Sequence, residues 1–313
     1  MNILVTGGCG YVGTPLTLSL LEAGHQVTVY DIQWFGNYLP DHPALTVVQG
    51  DIRNAGTVPM EGKDAVIHLA NIANDPCSDL DSKGNWEVNA LATMLLAERA
   101  VACGVKQFIF ASSGSVYGVK DEPLVTEDLS LVPISDYNKT KMVSERVLLS
   151  YAKDLVVNII RPATVCGYSP RMRLDLSVNI LTMQAVTKGR ITVFGGDQTR
   201  PNIHIKDMVR VYHHFLAKGM ELPGIFNAGF ENISILDIAN RVAKHVPAEI
   251  VVTPSNDPRS YRLSSAKLLA TGFDQKFFVE DAIVEVIEAF RTGKLKDEEK
   301  YYNIKTMLKL KEI

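Results

Sequence analysis

Short apolar runs alternate with longer amphipathic stretches through the first half of the chain. The run 2–7 (NILVTG) is apolar, partly β-branched and closed by glycine, which predicts a buried strand. The stretch 11–24 (YVGTPLTLSLLEAG) carries its leucines on one side and ends in glycine, which predicts a helix. The run 26–31 (QVTVYD) predicts a second buried strand. Strand, helix and strand within about 30 residues form a βαβ unit, which requires a parallel sheet.

The same alternation continues beyond this unit. Further strands are predicted at 45–51, 64–70, 105–113 and 156–163, and the main helices between them at 87–104 and 137–153. Strands that alternate with helices are typical of a doubly wound, Rossmann-type α/β fold. We therefore predict a parallel sheet of this type as the main body of the protein.

After Pro162 the alternation loosens. A basic, loop-like segment at 167–175 is followed by one predicted helix and then by smaller strands and helices. We therefore predict two domains, a Rossmann domain over residues 1–166 and a smaller α+β substrate domain over residues 167–313. Part of residues 204–219 is the candidate for packing back onto the first domain.

Composition and charge exclude several classes of protein. The chain has 313 residues, 46% of them apolar and 21% charged, with a net charge of −3, so disorder and a nucleic-acid-binding surface are both disfavoured. The C-terminal stretch 294–312 mixes both signs of charge, and a solvated helix explains it better than a nucleic-acid patch. No apolar run reaches the roughly 18 residues of a membrane helix, and a strand-like run from Asn2 leaves no room for a signal peptide. We therefore expect a cytoplasmic protein without nucleic-acid or membrane partners.

The cysteines and histidines give no support for a metal site. None of the four cysteines forms a C-x-x-C pair or lies near a histidine with zinc-like spacing, and the seven histidines include no H-E-x-x-H. A disulfide framework is also disfavoured at this chain length. Metal chemistry is therefore not expected.

Residues 6–13 (TGGCGYVG) contain two overlapping glycine patterns between a predicted strand and a predicted helix. Gly8, Gly10 and Gly13 form G-x-G-x-x-G, whereas Gly7, Gly10 and Gly13 form G-x-x-G-x-x-G. Glycines at such a junction let backbone N–H groups approach a pyrophosphate, and the helix N-terminus favours its charge. The motif therefore predicts dinucleotide binding, with plain turn glycines as the alternative.

Two carboxylates follow predicted strands of this region. Asp31 ends the second strand, 18 residues after Gly13, where a carboxylate accepts both ribose hydroxyls of NAD and repels the 2′-phosphate of NADP. No Arg or Lys follows within the next several residues, so NAD is the predicted cofactor. Asp51 ends the third strand, where it either contacts the adenine amino group or forms a turn.

Three side chains suit proton transfer from a hydroxyl group. Tyr137 and Lys141 are four residues apart on a predicted helix and share one face. A neighbouring ammonium and a cationic nicotinamide ring both favour the phenolate of such a tyrosine, which can then accept a substrate proton. Ser113 follows a strand near the predicted sheet centre, where a hydroxyl can hold the substrate oxygen. Taken alone, these residues also fit a surface pair and a turn serine.

Several further segments follow one another in a fixed order. They are T-G-x-x-G-x-x-G at 6–13, Asp31, GDI at 50–52, HLA at 68–70, Asn89, SSGSVYG at 112–118, Tyr137-x-x-x-Lys141, RPATVCG at 161–167, TVFGGDQTRPNIHIKD at 192–207 and DPRSYRLSSAKLLATGF at 257–273. In order and spacing these segments resemble the extended short-chain dehydrogenase/reductase family, in its NAD-dependent nucleotide-sugar epimerase/dehydratase branch. The resemblance covers nearly the whole chain.

The resemblance implies a role for each matching residue. The implied cofactor contacts are Gly7, Gly10, Tyr11, Val12, Gly13, Asp31, Asp51, Ile52, Leu69, Ala70, Asn89, Tyr137 and Lys141. The implied catalytic residues are Ser113, Tyr137 and Lys141. The implied nucleotide-sugar contacts are Ser113, Asn179, Arg200 and Arg259, with the two arginines on the phosphates. Gly8 and Cys9 become small residues that let the chain pass near the cofactor.

Two segments depart from the family pattern. Gly114 and Ser115 stand where the family's dehydratases carry Asp-Glu and its decarboxylases tend to carry Glu, which disfavours elimination chemistry. The loop 167–175 is more basic than usual. Its Arg171 and Arg173 are predicted to bind the phosphate or the sugar of the substrate, with exposed loop arginines as the alternative.

Together these features predict an NAD-dependent enzyme that acts at the C4 hydroxyl of a nucleotide-linked sugar. A 4-epimerase is the first hypothesis, because its redox-neutral chemistry requires only Ser113, Tyr137 and Lys141. A C4 dehydrogenase or 4-ketoreductase, for example on a GDP-linked heptose or hexose in surface-polysaccharide synthesis, uses the same residues and stays open. A non-catalytic NAD(H) sensor is a remote third hypothesis. The resemblance also implies a homodimer in which helices 87–104 and 137–153 form a four-helix bundle.

Overall fold

Twelve strands are present in the computed structural model, which describes residues 1–255 and 260–311. In chain order they are β1 (Asn2–Thr6), β2 (Gln26–Asp31), β3 (Leu45–Gln49), β4 (Ala65–His68), β5 (Gln107–Ala111), β6 (Val156–Pro162), β7 (Thr164–Cys166), β8 (Arg190–Phe194), β9 (Thr199–His204), β10 (Gly224–Ala228), β11 (Glu231–Ser234) and β12 (Glu249–Thr253). Seven of them form one parallel sheet in the order β10-β6-β5-β4-β1-β2-β3. A smaller sheet has the order β11-β9-β7, and β12 pairs with β8.

Eleven α-helices surround these sheets within the described residues. They are α1 (Gly13–Glu22), α2 (Asp75–Leu80), α3 (Ser82–Trp86), α4 (Ala92–Ala102), α5 (Asp136–Ser150), α6 (Ser177–Lys188), α7 (Ile205–Lys218), α8 (Ile235–His245), α9 (Ala266–Leu269), α10 (Val279–Arg291) and α11 (Asn303–Lys311). A π-helical turn, Glu87–Leu91, connects α3 to α4. None of these helices is both long and apolar enough to cross a membrane.

The central strands are buried on both faces, because helices cover each side of the larger sheet. Ile3 and Val5 of β1 face the core beneath α1 and α7, together with Leu16 and Phe215. Leu4, which lies between them in the strand, faces the opposite core beneath α4 and α5. Apolar residues are therefore needed at successive positions of this strand, instead of alternating with polar ones. The predicted doubly wound α/β fold is confirmed.

The chain returns to the larger sheet after residue 204. Helix α7 packs against α1, where Ser19 Oγ and His213 Nε2 are 2.9 Å apart, and β10 joins the sheet beside β6. The placement of β10 was not predicted, because a five-residue run such as GIFNA carries no signal for the sheet that it enters. Helices α6, α8 and α10 form a separate core with β8, in which α6 packs against both other helices.

The C-terminal helix α11 lies against α2, an element more than 200 residues earlier in the chain. Tyr301 and Asn303 are buried, and Ile304 and Met307 pack onto the core beneath the larger sheet. The expectation of a solvated helix over 294–312 is therefore wrong for the side that faces the protein. Residues three apart share a helix face, so Ile304 and Met307 form an apolar side of the helix. Composition does not reveal this side, because the remaining residues of the segment are mostly charged.

Candidate active site

The glycine-rich turn after β1 is packed too tightly for side chains. Gly7 has a φ of +77°, and a Cβ at this position would lie 2.6 Å from the backbone nitrogen of Ala70. A Cβ on Gly13 would lie 2.1 Å from the carbonyl oxygen of Gly7, and one on Gly10 would lie 3.1 Å from the same oxygen. The spacing Gly7, Gly10 and Gly13 therefore defines the turn. Helix α1 begins within it, so the helix N-terminus is available to an anion.

Gly8 packs against β2, and Cys9 borders a cavity beside the glycine turn, where the prediction places the cofactor. A Cβ on Gly8 would lie 2.6 Å from the Val29 side chain, so the close packing against β2 requires a glycine here. The backbone N–H of Cys9 donates to Asp31 Oδ2 at 3.0 Å, and that of Gln33 donates to Asp31 Oδ1 at 2.7 Å. Burial raises the pKa of Asp31, while these two donors lower it. The carboxylate is thus oriented with acceptor capacity left on both oxygens.

A cavity of about 580 Å³ lies at the carboxyl ends of the central strands, where open α/β sheets bind ligands. Most of the predicted site residues line it. These are Gly7, Gly10, Tyr11, Val12, Gly13, Asp31, Asp51, Ile52, Leu69, Ala70, Ser113, Tyr137, Lys141, Arg171, Arg173 and Arg200. Arg259 lies outside the described residues.

Ser113 follows β5 and has two functions in the structure. Its hydroxyl accepts a hydrogen bond from the N–H of Ser115 at 3.2 Å, which caps the 3₁₀ turn Gly114–Tyr117. The same hydroxyl lies 2.7 Å from Ser115 Oγ, which in turn donates to Asn138 Oδ1. The turn-forming role and the cavity-lining position of Ser113 therefore coexist.

Tyr137 and Lys141 reach the cavity from α5. Ser135 caps this helix, because its hydroxyl accepts from the N–H of Asn138 at 3.2 Å, and the cap places Tyr137 in the first turn. Lys141 is buried, and its Nζ donates to the carbonyl oxygen of Ala111 at 2.7 Å. The same Nζ lies 6.0 Å from the centre of the Tyr137 ring. Helical spacing thus brings the ammonium and the phenol to one end of the cavity.

The electrostatics around Tyr137 differ from the sequence-based expectation. Burial raises the pKa of Tyr137, and Asp75 raises it further. Arg173 and the Ser113 hydroxyl lower it. Burial also lowers the pKa of Lys141 to about 7, and its ammonium is directed to a backbone carbonyl. Arg173 is therefore a second cation that favours the Tyr137 phenolate, and the predicted contribution of Lys141 stays a prediction.

The loop 167–175 is packed into the protein and is not exposed. Arg173 and Asp175 form a two-point ion pair, with Nε–Oδ1 at 3.0 Å and Nη2–Oδ2 at 3.1 Å. Asn74 Nδ2 donates to the same carboxylate at 3.1 Å, from a residue with a φ of +74° that asparagine tolerates better than most. Arg171 is fully buried. The alternative of exposed loop arginines is therefore wrong.

Asn89 and Asn179 require correction, because neither side chain lines the cavity formed by the described residues. Asn89 Oδ1 accepts from the N–H of Ile72 at 2.8 Å, and its Nδ2 donates to the carbonyl of Ile72 at 3.1 Å. Asn179 Oδ1 accepts from the N–H of Gly167 at 3.1 Å, and its Nδ2 donates to Tyr11 Oη at 3.1 Å. Both amides hold backbone segments or side chains that border the cavity.

Two further predicted contacts sit on different walls of the cavity. Asp51, at the end of β3, pairs with Arg53 through Oδ2 and Nη2 at 2.6 Å. Burial raises the pKa of Asp51, but the hydrogen bonds from Arg53 outweigh this effect and lower it. Arg200 reaches the cavity from β9, in the smaller sheet. Both parts of the fold therefore contribute to the site.

Other cavity residues were missed by sequence reasoning. They include Trp34, Phe35, Asp75, Asp175, Tyr261, Asn303, Ile304 and Met307. Asp75 lies in the first turn of α2 and accepts a hydrogen bond from Ser135 Oγ. Asp175 follows Arg173 by two residues, and this spacing was a usable signal for an ion pair. The residues of α11 carried no such signal, because the sequence of a charged C-terminal helix does not indicate against which part of the protein it packs.

Comparison with known proteins gives a family match and relatives with two activities. A model described as the NAD dependent epimerase/dehydratase family matches residues 3–229. The UDP-glucose 4-epimerase of Corynebacterium glutamicum is 28% identical over 294 residues, which cover 85% of this chain and 88% of that protein. The dTDP-glucose 4,6-dehydratase of Streptomyces niveus is 25% identical over 320 residues, or 94% of each protein. The crystal structure of the Thermotoga maritima UDP-glucose 4-epimerase with UDP-glucose has a TM-score of 0.84 at 26% identity, covering 94% of this chain and 100% of that chain.

Proposed function

Because the chain belongs to the NAD dependent epimerase/dehydratase family, we propose that it is an NAD-dependent nucleotide-sugar 4-epimerase. The family match confirms the resemblance to the extended short-chain dehydrogenases and the prediction of NAD as cofactor. Since relatives include both epimerases and a dehydratase, family membership alone does not choose the reaction. The observation that carries the proposal is the convergence of Ser113, Tyr137 and Lys141 on the cavity that the glycine turn borders.

The residues of this cavity fit NAD. The glycine turn leaves backbone N–H groups uncovered by side chains beside a helix N-terminus, which suits the pyrophosphate. Asp31 presents two oriented oxygens to the ribose hydroxyls, and its charge disfavours a 2′-phosphate. Asp51 and Ile52 suit the adenine ring. NAD held by these residues would supply reversible hydride transfer at C4 of the sugar, so that hydride removed from one face of the carbon could return to the other.

The protein's own groups then handle the proton of the C4 hydroxyl. Tyr137 accepts this proton, and the Ser113 hydroxyl holds the same oxygen. Burial raises the pKa of Tyr137 to about 12, and Arg173 and the Ser113 hydroxyl act against this increase. A cationic nicotinamide ring bound beside the phenol would favour the phenolate further. Lys141, fixed by the carbonyl of Ala111, borders the ring and holds the end of β5 against α5. When the hydride returns, Tyr137 gives the proton back to the inverted alkoxide.

The two residues that follow Ser113 support epimerisation at C4 over dehydration. Gly114 stands where the family's dehydratases carry an acid, and a Cβ there would lie 3.2 Å from the carbonyl oxygen of Pro162 and 3.4 Å from Tyr261 Oη. The next residue, Ser115, donates its hydroxyl to an asparagine. Elimination of water requires an acid and a base at the leaving group. Neither residue after Ser113 supplies them.

We also propose that the substrate carries a nucleoside diphosphate and that the enzyme is a homodimer. Arg200 lines the cavity from β9, where its guanidinium suits a diphosphate. Helices α4 and α5 pack side by side, so two copies can form a four-helix bundle. Leu91, Met94 and Leu95 share one helix face and are exposed or half-buried, which leaves apolar surface for such an interface.

A direct experiment tests the reaction. The purified protein is denatured and its released nucleotide identified, and the native enzyme is then incubated with UDP-, GDP- and dTDP-sugars and analysed by mass spectrometry and proton NMR. Epimerisation gives a product of unchanged mass with an inverted C4 proton. Loss of two hydrogens would reassign the enzyme as a C4 dehydrogenase, and loss of water would reassign it as a dehydratase.

Substitutions at the phenol test the mechanism. Tyr137→Phe removes the proton acceptor and should lower kcat by at least about a hundredfold, the usual contribution of general acid–base catalysis. Tyr151→Phe, at the other end of α5, is the matched control and should keep the wild-type rate. Full activity in Tyr137→Phe would refute the proposed proton transfer.

A further inference from the structure

Arg171 is a buried cation that lacks a carboxylate partner. Its side chain is 2% exposed, and no salt bridge to it is present among the described residues. Nη1 donates to the carbonyl oxygen of Met172 at 3.2 Å, and Nη2 donates to Asn303 Oδ1 at 2.6 Å. The guanidinium lies 4.0 Å from the centre of the Phe35 ring. Burial lowers the pKa of Arg171 to about 10, so the group stays charged at neutral pH.

One donor of this guanidinium is not used. The Nε–H of Arg171 has no hydrogen-bond partner within the described residues, although the atom is buried and the residue lines the cavity. A buried charge with an unmet donor is costly unless a ligand supplies the acceptor. An acceptor oxygen of a molecule bound in the cavity would complete the hydrogen bonding of Arg171, and a negatively charged oxygen would also pair with its charge.

Arg171 lies at the end of the cavity that the glycine turn borders, where the cofactor is expected. Arg173 lowers the pKa of Arg171, whereas Asp175 and, more weakly, Asp31, the predicted ribose contact, raise it. The loop that carries Arg171 is also tied to the glycine turn, because Ser169 Oγ donates to the carbonyl of Tyr11 at 2.9 Å and Tyr11 Oη donates to the carbonyl of Gly167 at 2.7 Å. These contacts place the guanidinium beside the groups that suit a dinucleotide.

Arg173, only two residues later, has different hydrogen-bond partners. Its guanidinium is paired with Asp175, and its charge acts on Tyr137. The two arginines, which sequence reasoning assigned together to the substrate, therefore have different surroundings.

We propose that Arg171 binds the cofactor and not the sugar nucleotide, donating to a phosphate oxygen of the NAD pyrophosphate. Asn303 of α11 is a positioning residue in this arrangement, since it fixes the guanidinium from a helix that sequence reasoning read as solvated. Asn303 is 4% exposed, and Ile304 and Met307 from the same helix also line the cavity. The C-terminal helix thus completes the cofactor site. The inference rests on the proposed function only for the identity of the cofactor.

Titration calorimetry on protein freed of nucleotide tests this assignment with NAD, ADP and adenosine. Hydrogen bonds to charged groups contribute about 1.5–3 kcal/mol, so Arg171→Met should weaken NAD and ADP by about 10- to 100-fold. Adenosine has no phosphate and should bind Arg171→Met and wild type alike. Arg190→Met, at an exposed arginine of β8, is the control and should change the affinity for NAD and ADP by less than about twofold. Arg171→Lys keeps the charge without the planar fork and should give a smaller loss for ADP.

Two results would overturn the assignment. ADP affinity unchanged in Arg171→Met would remove the phosphate contact, and an equal loss for adenosine would show that Arg171 only shapes the cavity. Thermal unfolding of each nucleotide-free variant checks that the fold is kept, and Arg171→Lys carries the test if the methionine variant does not fold. These binding measurements need no sugar substrate, so they stand even if the enzyme proves not to be an epimerase.

A double-mutant cycle tests Asn303. If Asn303 acts by positioning Arg171, Asn303→Ala should weaken ADP in the wild-type background and have no effect in Arg171→Met. Equal losses in both backgrounds would show that Asn303 contributes by a route that does not involve Arg171.

Discussion

The Arg173 guanidinium donates two hydrogen bonds, of 3.0 and 3.1 Å, to the Asp175 carboxylate. Both residues line the cavity that Tyr137 also borders. Burial raises the pKa of Tyr137, and Arg173 acts against this effect. A two-point pair holds a guanidinium in one orientation, because its planar fork matches the carboxylate. The ion pair therefore keeps a cation in a fixed place beside the phenol.

Replacing Arg173 with Met should slow catalysis and shift its pH dependence. Loss of the cation raises the pKa of Tyr137, so the increase of kcat/KM that accompanies deprotonation of this base moves to higher pH. Below that increase, the rate should fall about tenfold for each pKa unit of the shift. A pH–rate profile measures the change, and Arg190→Met, at the exposed start of β8, is the control. An unshifted profile for Arg173→Met would contradict the role of this cation.

Lys141 should make the protein more stable as the pH rises from about 7 to about 10. Burial lowers the pKa of Lys141 to about 7, whereas an unfolded lysine titrates near 10.4. Between these values the unfolded chain binds a proton that the folded chain does not, so the free energy of unfolding rises by up to about 1.4 kcal/mol per pH unit. Below the folded pKa both states are protonated, and this slope vanishes.

Urea unfolding at several pH values measures this contribution as a difference between variants. Lys141→Met should lose the part of the slope that Lys141 contributes, while Lys153→Met, at an exposed position, should keep the wild-type slope. Identical slopes for Lys141→Met and wild type would show that the buried lysine titrates as it does in water.

The sheet and the position of Ser113, Tyr137 and Lys141 at the cavity could be predicted because they follow from periodicity and topology. Leu4 and Val5 face opposite cores, so β1 had to be apolar at successive positions. Asp31 and Ser113 each follow a parallel strand, and parallel strands bring their carboxyl ends to one edge. Tyr137 and Lys141 needed only helical spacing to meet at that edge.

Side-chain direction in loops and at helix ends could not be predicted in the same way. The family motif located Asn89 and Asn179, but a motif does not say whether an amide meets a ligand or a backbone group, and both amides meet protein atoms. Arg171 and Arg173 differ by two positions in one loop, yet they have different partners. Asn303 contacts Arg171 although the two are 132 residues apart in sequence. Local sequence patterns do not predict contacts over such a separation.

Asp31→Asn should weaken NAD and reduce discrimination against NADP. The neutral amide accepts fewer hydrogen bonds from the ribose hydroxyls than the carboxylate does, and it no longer repels a 2′-phosphate. The dissociation constant for NAD should therefore rise by about 10- to 100-fold. The constant for NADP should change less, because the repulsion disappears together with the hydrogen bonds. Calorimetry with both dinucleotides measures the ratio, and Asp41→Asn, an exposed residue in the same region, should leave it unchanged. A wild-type ratio in Asp31→Asn would exclude Asp31 as the ribose contact.

Gly7→Ala should damage both the fold and cofactor binding. The residue has a φ of +77°, and a Cβ would lie 2.6 Å from the backbone of Ala70, so neither strain nor overlap can be relieved by a side-chain movement. We expect a loss of more than about 1 kcal/mol in the free energy of unfolding and weaker NAD binding. Gly56→Ala is the control, because a Cβ there meets no atom within 4 Å and the backbone has no positive φ. Equal stability of the two variants, measured by urea unfolding, would contradict the tight turn.

Leu91→Arg should convert the proposed dimer into a monomer. Leu91 is 48% exposed in the turn that leads into α4, and a two-fold interface through α4 and α5 would bring both copies of this face together. An arginine there would place unpaired positive charge in an apolar contact, which opposes association. Sedimentation velocity at micromolar protein measures the change. Leu269→Arg, at a position 43% exposed on α9, should leave the wild-type state intact. A wild-type monomer, or a dimeric Leu91→Arg variant, would exclude this surface as the interface.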